Sequence, residues 1–280
     1  MPQTDRRKGK GVPMHVFHPP QITNGVPPEN YFVVADSANS PIAEGFLIPT
    51  YHPYLFPERP VNMFLSVHAK NPGRDMLLGA LLARAYQLHT QTPQWKARIF
   101  AQVSAQDTDM LSFYTDSGFQ LDDSLDVVQL YPPNAKPNAP MGYDMRFVPL
   151  QTPQEQQAFL YRMNTNRLDV LSLTQLQRYM TMSHFVALYI SRGQELVGEI
   201  VLAGEAGAAK LVGLYVIPNY RKLGLGKALI SAGMKYLADQ GVTLFEGNVT
   251  RRNMAQCKIA RSCNATFVRT ACFFPGVNYD

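Results

Sequence analysis

Along the second half of the chain the spacing of apolar positions changes several times, and each change predicts an element. His184 to Ser191, Glu195 to Ala203 and Lys210 to Ile217 are short apolar runs, separated by Arg192-Gly193 and by a Gly/Ala-rich turn; they predict three successive strands. From Gly226 to Asp239 the residues Ile230, Met234 and Leu237 recur at helical spacing, and Gly241 stops the helix. Val242 to Val249 then predicts a strand, Asn253 to Cys263 a helix, and Thr266 to Phe274 a final strand. Ahead of this set, Tyr143 to Leu150 predicts a short strand. One helix opens at Thr152-Pro153 with Glu155 near its N-terminal end, and another spans Thr174 to Met182.

Between Tyr131 and Gly142 the sequence reads YPPNAKPNAPMG, and its four prolines continue neither a helix nor a central strand. This stretch divides the chain nearly in half, and the halves match at a constant offset of 146 residues, as between Val103 and Val249. At that offset Pro72 meets Pro218, Leu78-Gly79-Ala80 meets Gly224-Leu225-Gly226, Asp107 meets Asn253 and Gly118 meets Asn264. Identity is low, so the weight rests on the shared order of elements. The first half repeats the back end of the second from Val61 onward and lacks room for the two early helices. The expected domains are a basic flexible tail at 1–13, an abbreviated copy at 14–131, a Pro-rich linker at 132–142 and a full copy at 143–280.

Composition removes several alternatives. With 46% apolar and 17% charged residues the chain can bury a core. Of its net charge of +5, Arg6, Arg7, Lys8 and Lys10 against Asp5 supply +3, so the remainder does not call for a nucleic-acid groove. No apolar run reaches the ~18 residues of a membrane span, and no apolar signal core opens the chain. The three cysteines, Cys257, Cys263 and Cys272, form no C-x-x-C pair and are expected as reduced thiols of a cytoplasmic protein. The six histidines show no metal-ligand spacing, so no metal is expected.

The stretch Leu211 to Ile230, LVGLYVIPNYRKLGLGKALI, joins a strand to a helix through a basic turn. Backbone N–H groups at such a helix start are unpaired and carry partial positive charge. Gly224 and Gly226 remove side chains there, and Arg221, Lys222 and Lys227 add charge, which is the chemistry of a diphosphate cradle. It is not a Walker loop, because Arg221 stands at the first glycine position and Ala228 at the hydroxyl position. Nor is it a dinucleotide fingerprint, because Leu229 replaces the third glycine.

Val216-x-Pro218-x-Tyr220-Arg221-x-x-Gly224-x-Gly226-x-Ala228-Leu229 resembles the acyl-CoA-binding motif of the GNAT superfamily, and Asn253 with Asn264 resembles the family's last helix. DTDMLSFYTDSGF, from Asp107 to Phe119, is similar to that same helix. The resemblance implies an α/β (α+β) chain of two tandem GNAT-like domains, each a mixed, mostly antiparallel sheet flanked by helices. It implies an N-acetyltransferase that moves an acetyl group from acetyl-CoA to a primary amine of a small molecule or peptide, in a ternary complex. The alternative is a tandem protein that binds acyl-CoA, or is purely structural, without turnover.

Carried over by resemblance, the main chain of Leu214, Tyr215 and Val216 holds the pantetheine arm, and the Val216 N–H polarises the thioester. The amides of Arg221, Lys222, Leu223, Gly224, Leu225, Gly226 and Lys227 hold the pyrophosphate. Asn253 anchors pantetheine or simply caps its helix. The family often places a tyrosine seven residues after the helix asparagine; here that position is Ala260, whereas the first half has Tyr114. Lys210 to Ile217 contains no acid, which leaves Glu199 and Glu246 as candidate bases. The first copy is expected to be structural, with Leu78 and Ala80 crowding a phosphate. The acceptor, the acyl-chain preference and the oligomeric state are not legible.

Overall fold

The computed structural model describes residues 13–69, 72–135, 137–165, 167 and 170–280. Apart from its last residue, the expected basic tail at 1–13 lies outside the described residues. The first half contains β1 (His15–Phe17), β2 (Tyr31–Ala35), β3 (Pro41–Tyr51), β4 (Val61–Ala69), α1 (Arg74–Thr90), β5 (Ala97–Phe100), β6 (Val103–Ser104), α2 (Thr108–Asp116) and β7 (Ser124–Leu130). The second contains β8 (Asp144–Phe147), α3 (Pro153–Asn164), α4 (Leu173–Met180), β9 (His184–Arg192), β10 (Glu195–Glu205), β11 (Ala208–Val216), α5 (Leu225–Ala238), β12 (Leu244–Thr250), α6 (Met254–Ser262), β13 (Thr266–Phe273) and β14 (Gly276–Tyr279). Both early helices open as their sequences prescribe. Thr152 with Glu155, and Ser172 with Gln175, each form a reciprocal capping box that satisfies two orphan donors.

The halves repeat one pattern of three antiparallel strands, helix, parallel strand, helix and strand. Among the described residues, α3 and α4 have no helical counterpart ahead of β2 beyond a 3-10 turn, Pro28–Asn30. α1 packs on the first sheet through Leu77, Leu81 and Ala85, and α5 on the second through Leu229, Met234 and Leu237. A third apolar cluster, built on Phe159, Met163 and Leu176, seats α3 and α4 on the opposite face of β9–β11. Among the described residues, no helix is long and apolar enough to cross a membrane.

Strands are exchanged across the Pro-rich segment. The first sheet runs β1-β2-β3-β4-β5-β14, and the second runs β6-β13-β7-β12-β11-β10-β9-β8. The last strand of the first half, β7, therefore lies between β12 and β13, while the chain's final strand, β14, extends the first sheet beside β5. Buried polar contacts lock this exchange. Arg98, almost wholly buried, is ion-paired with Asp122 and donates to Phe274 O (3.1 Å) and Asn278 Oδ1 (3.3 Å). Gly276 leaves room for it, since a Cβ there would lie 2.6 Å from Arg98 Cζ. Asp123, also buried, accepts the amide of Arg252 at 3.0 Å. The Asp280 side chain is tied to Arg59 (2.8 Å) and Lys96 (3.2 Å), so the segment after β14 is also held on the first half.

Because β7 fills the gap between β12 and β13, residues 143–280 expressed alone leave two strand edges unpaired. We expect this fragment to lack cooperative thermal unfolding by circular dichroism, and a fragment extended to start at 121 to recover it in part. A sharp, two-state transition for 143–280 would contradict the exchange.

Candidate active site

The site begins where a sheet ladder stops. β11 pairs in parallel with β12 only from Ala208↔Leu244 to Lys210↔Glu246, while β12 stays paired to β7 as far as Thr250. Just past that point β11 carries an extra residue relative to β10: Val201 faces Gly213 and Leu202 faces Leu211, leaving Val212 as a bulge. A bulge bends its strand and increases local twist, so β11 is turned away from β12 here. Arg167 Nη1 donates to Val212 O at 2.6 Å, holding the bend. Gly213 is needed beside it, because a Cβ would lie 2.7 Å from both Arg167 Nη1 and Met163 Sδ.

The result is a wedge open toward Val216, with Leu211 to Val216 free of strand partners on the β12 side. Ile217 N–H bonds Val197 O at 2.9 Å, on the β10 side. Backbone groups alternate along a strand, so the N–H and C=O of Val216 and Leu214 face into the wedge. Arg221 Nε covers the Val216 carbonyl at 3.1 Å, while among the described residues the Val216 N–H has no partner.

At the wedge mouth the chain makes a 3-10 turn, Pro218–Tyr220, and passes through left-handed conformations at Lys222 (φ 66°) and Gly224 (φ 80°) before α5 begins. Tyr220 OH donates to the Glu195 carboxylate and ties this loop to the β9–β10 hairpin. The Arg221 amide is engaged with Pro218 O at 3.2 Å. Among the described residues, none of the amides of Lys222 to Lys227 has a hydrogen-bond partner, and neither Lys222 nor Lys227 is ion-paired. The free donors therefore begin at Lys222, one residue later than the sequence suggested.

The two glycines do different jobs. Gly224 caps α5 with a positive φ and has open space where a Cβ would stand, so it both allows the turn and leaves the helix start accessible. Gly226 is buried, and its Cβ would lie 2.6 Å from Ile259 Cδ1 on α6. It sets how closely α5 and α6 pack and does not face the loop opening. Asn253 caps α6 by accepting from Ala255 N (3.2 Å) and Gln256 N (3.1 Å) through Oδ1, and among the described residues its side-chain NH2 has no partner.

The two carboxylates lie at opposite ends of the wedge. Glu199 faces Tyr215 across the β10–β11 ladder, next to the Gly198↔Val216 pair. It is fully buried and holds Arg162 of α3 in a two-pronged contact, at 2.8 Å to Nε and 2.7 Å to Nη2. Burial pushes the Glu199 carboxyl up from the usual carboxylate range, and the Arg162 charge pulls partly against that. Burial likewise raises the Tyr215 phenol. Glu246 pairs with Lys210 at the closed end, their charged atoms 4.0 Å apart. Sequence reasoning missed Arg162, because its partner lies 37 residues away on another element.

The first half opens a similar wedge, since β4 and β5 pair only from Val61↔Ala97 to Phe64↔Phe100. Its loop differs from the expectation. β4 ends at Ala69 and α1 begins at Arg74, against Val216 and Leu225 in the second half, so this loop is four residues shorter. A longer α1 makes up most of the difference and the two strand-to-strand segments are equal in length, so the gapless match hides helices that start about a turn apart. Gly73, not Leu78, is the structural counterpart of Gly224, capping α1 at φ 119°. Leu78 and Ala80 sit inside α1 and crowd no loop. At the back end the offset holds: Asp107 and Asn253 cap α2 and α6, and Gly118 and Asn264 both turn left-handed after them.

Residues 152–264 match the sequence profile of the Acetyltransferase (GNAT) family. The chain carries a GNAT acetyltransferase domain. A GCN5-related N-acetyltransferase from Sphaerobacter thermophilus is similar in structure over 91% of this chain and 82% of its own, with a TM-score of 0.50 and 14% identity. A tandem GNAT protein from the clavulanic acid biosynthesis pathway covers 89% of this chain and 82% of its own, with a TM-score of 0.44 and 17% identity. No curated protein sequence matches the chain. The fold shared with the Sphaerobacter thermophilus protein extends over both halves, which here form two GNAT-like sheets with exchanged strands.

Substituting the glycines separates their roles. Gly226→Ala should destabilise the protein by about 1–3 kcal/mol through overpacking, and Ile259→Val in the same chain should restore much of that. Gly224→Ala should cost roughly 1 kcal/mol from its left-handed φ, with no rescue by Ile259→Val. Urea midpoints at constant m-value give the comparison.

Proposed function

We propose that the chain is an N-acetyltransferase whose C-terminal wedge holds acetyl-CoA and delivers its acetyl group to a primary amine of a small molecule or peptide. The observation that carries this is the row of partnerless amides from Lys222 to Lys227 at the open end of a wedge whose inner strand also presents free backbone groups. A diphosphate fits the first feature, because unpaired N–H groups and the positive end of α5 favour an anion and Gly224 adds no obstruction. An extended amide-bearing arm fits the second, running along Leu214 to Val216 with the free NH2 of Asn253 opposite. Acetyl-CoA would supply an activated acyl group on a thiol that leaves readily.

The chain's own residues then have assignable tasks. The Val216 N–H would stabilise charge on the acyl oxygen as it develops. An incoming alkyl ammonium, which in water titrates at about pH 10, must lose a proton before attack. Glu199 is the better placed of the two carboxylates for that task, lying one ladder position from Val216, with Arg162 fixing its orientation. Glu246, at the closed end, is the less favoured base.

The second reading, a carrier-binding protein without turnover, is favoured by Ala260 at the position where GNAT relatives often have a tyrosine, and by the engagement of Glu199 with Arg162.

Calorimetry with acetyl-CoA should show one site per chain that is lost in Gly224→Glu, and thiol release on an amine panel decides between the readings. Glu199→Gln should lower kcat by at least about 100-fold with little change in acetyl-CoA affinity, while Glu246→Gln stays near wild type. It should also cost on the order of 2 kcal/mol of stability, since Arg162 is left without its counter-charge but is partly solvated. As pH falls through the raised Glu199 value the base form is lost, so kcat should fall on the acid side. A wild-type rate for Glu199→Gln would remove it as the base.

A further inference from the structure

The N-terminal wedge encloses a cavity of about 190 Å3 between the diverging ends of β4 and β5. That is several times the ~30 Å3 that one liquid water occupies. Phe64 and the buried ring of Tyr114 line its inner part, and His68, Gln102, Ser104 and Asp107 form an exposed polar rim. Among the described residues the Tyr114 hydroxyl has no hydrogen-bond partner, although the residue is only 1% exposed. Burial raises its pKa, so it remains a neutral phenol with lone pairs to offer.

Two differences set this cavity apart from the C-terminal wedge. First, its loop is four residues shorter, and the cation at the loop's end is already committed. Arg74 Nη1 bonds Asp109 at 2.9 Å, Nη2 bonds Ala69 O at 3.4 Å, and the guanidinium lies 4.9 Å from the centre of the Phe113 ring. Second, the helix cap has changed its hydrogen-bonding sense. Asp107 Oδ1 accepts the Met110 amide at 3.1 Å, as Asn253 Oδ1 does for its own helix. What remains on Asn253 is an NH2 donor, whereas what remains on Asp107 is a charged oxygen that can only accept. A ligand presenting carbonyl oxygens or phosphates suits Asn253 and is repelled by Asp107.

We propose that the N-terminal wedge binds a small primary ammonium ion, held by the free oxygen of Asp107 and the phenol oxygen of Tyr114, with its carbon chain against Phe64. An ammonium brings three N–H donors to a cavity that offers a carboxylate, a phenol and the unpaired carbonyls of two diverging strand edges. The site is independent of what the C-terminal half binds.

The test titrates n-butylamine and n-butanol into the full chain by ligand-observed NMR, with Asp107→Asn, Tyr114→Phe and Gly224→Glu variants. Asparagine caps a helix as well as aspartate, so Asp107→Asn removes the charge and keeps α2. Expected results are saturable n-butylamine binding, n-butanol weaker by at least about tenfold, and a similar loss for the amine in Asp107→Asn. Tyr114→Phe should weaken the amine a few-fold, and Gly224→Glu should leave it unchanged. Equal responses to amine and alcohol, or amine binding untouched by Asp107→Asn, would overturn the proposal. So would acetyl-CoA binding that survives Gly224→Glu and is abolished by Asp107→Asn, which would make this wedge the carrier site instead.

Discussion

A strand that leaves its sheet exposes backbone hydrogen-bonding groups, and the chemistry attributed to this protein depends on one such departure. Past Lys210, β11 no longer pairs with β12, and the bulge at Val212 turns it away. Unpaired amides and carbonyls buried without a partner are costly, so such an edge persists only where solvent or a ligand satisfies it. The wedge is therefore an opening that the fold maintains against its own tendency to close. Arg167 on the Val212 carbonyl and Arg221 on the Val216 carbonyl are the side chains that keep it open.

The exchange of β7 and β14 fits this requirement. A sheet with a split in the middle loses ladder bonds across the split and must be held from outside. Here β12, the strand on the far side of the wedge, is paired along its length to β7, which belongs to the other half. β5, its counterpart in the first half, is paired to β14 in the same way. Each wedge thus has one wall secured by a strand from the opposite copy, and the buried Arg98 cluster ties the two exchanges together. The halves are coupled mechanically even where they differ in chemistry.

Much of this was legible in the sequence. The strand runs from His184 to Val216 and the helix of Ile230, Met234 and Leu237 emerge where periodicity places them, because their partners are local or their burial is one-sided. The open cradle before α5 also follows from residue types, since basic residues and a left-handed Gly224 suffice to mark it. Three things were not legible. The alternation of SLDVVQL in β7 marks a strand but not which sheet edge it will join. Gly226 looks like a second ligand glycine until Ile259, on a different helix, is seen pressing against it. The earlier start of α1 was hidden because two weakly similar segments of equal length can be matched without a gap while their helices start a turn apart. In the first two cases the missing information is a contact between residues distant in sequence, and in the third it is where a helix begins.

The central claim is that free amides from Lys222 to Lys227, together with the inner edge of β11, grip a phosphate-bearing acyl carrier. Amide hydrogen exchange of the full chain, with and without saturating acetyl-CoA, reads those groups one by one. The account predicts slowed exchange at residues 222–227 and at Leu214 and Val216, with residues 65–68 and 101–104 of the first half unchanged. Protection confined to the first half, or to neither wedge, would contradict it.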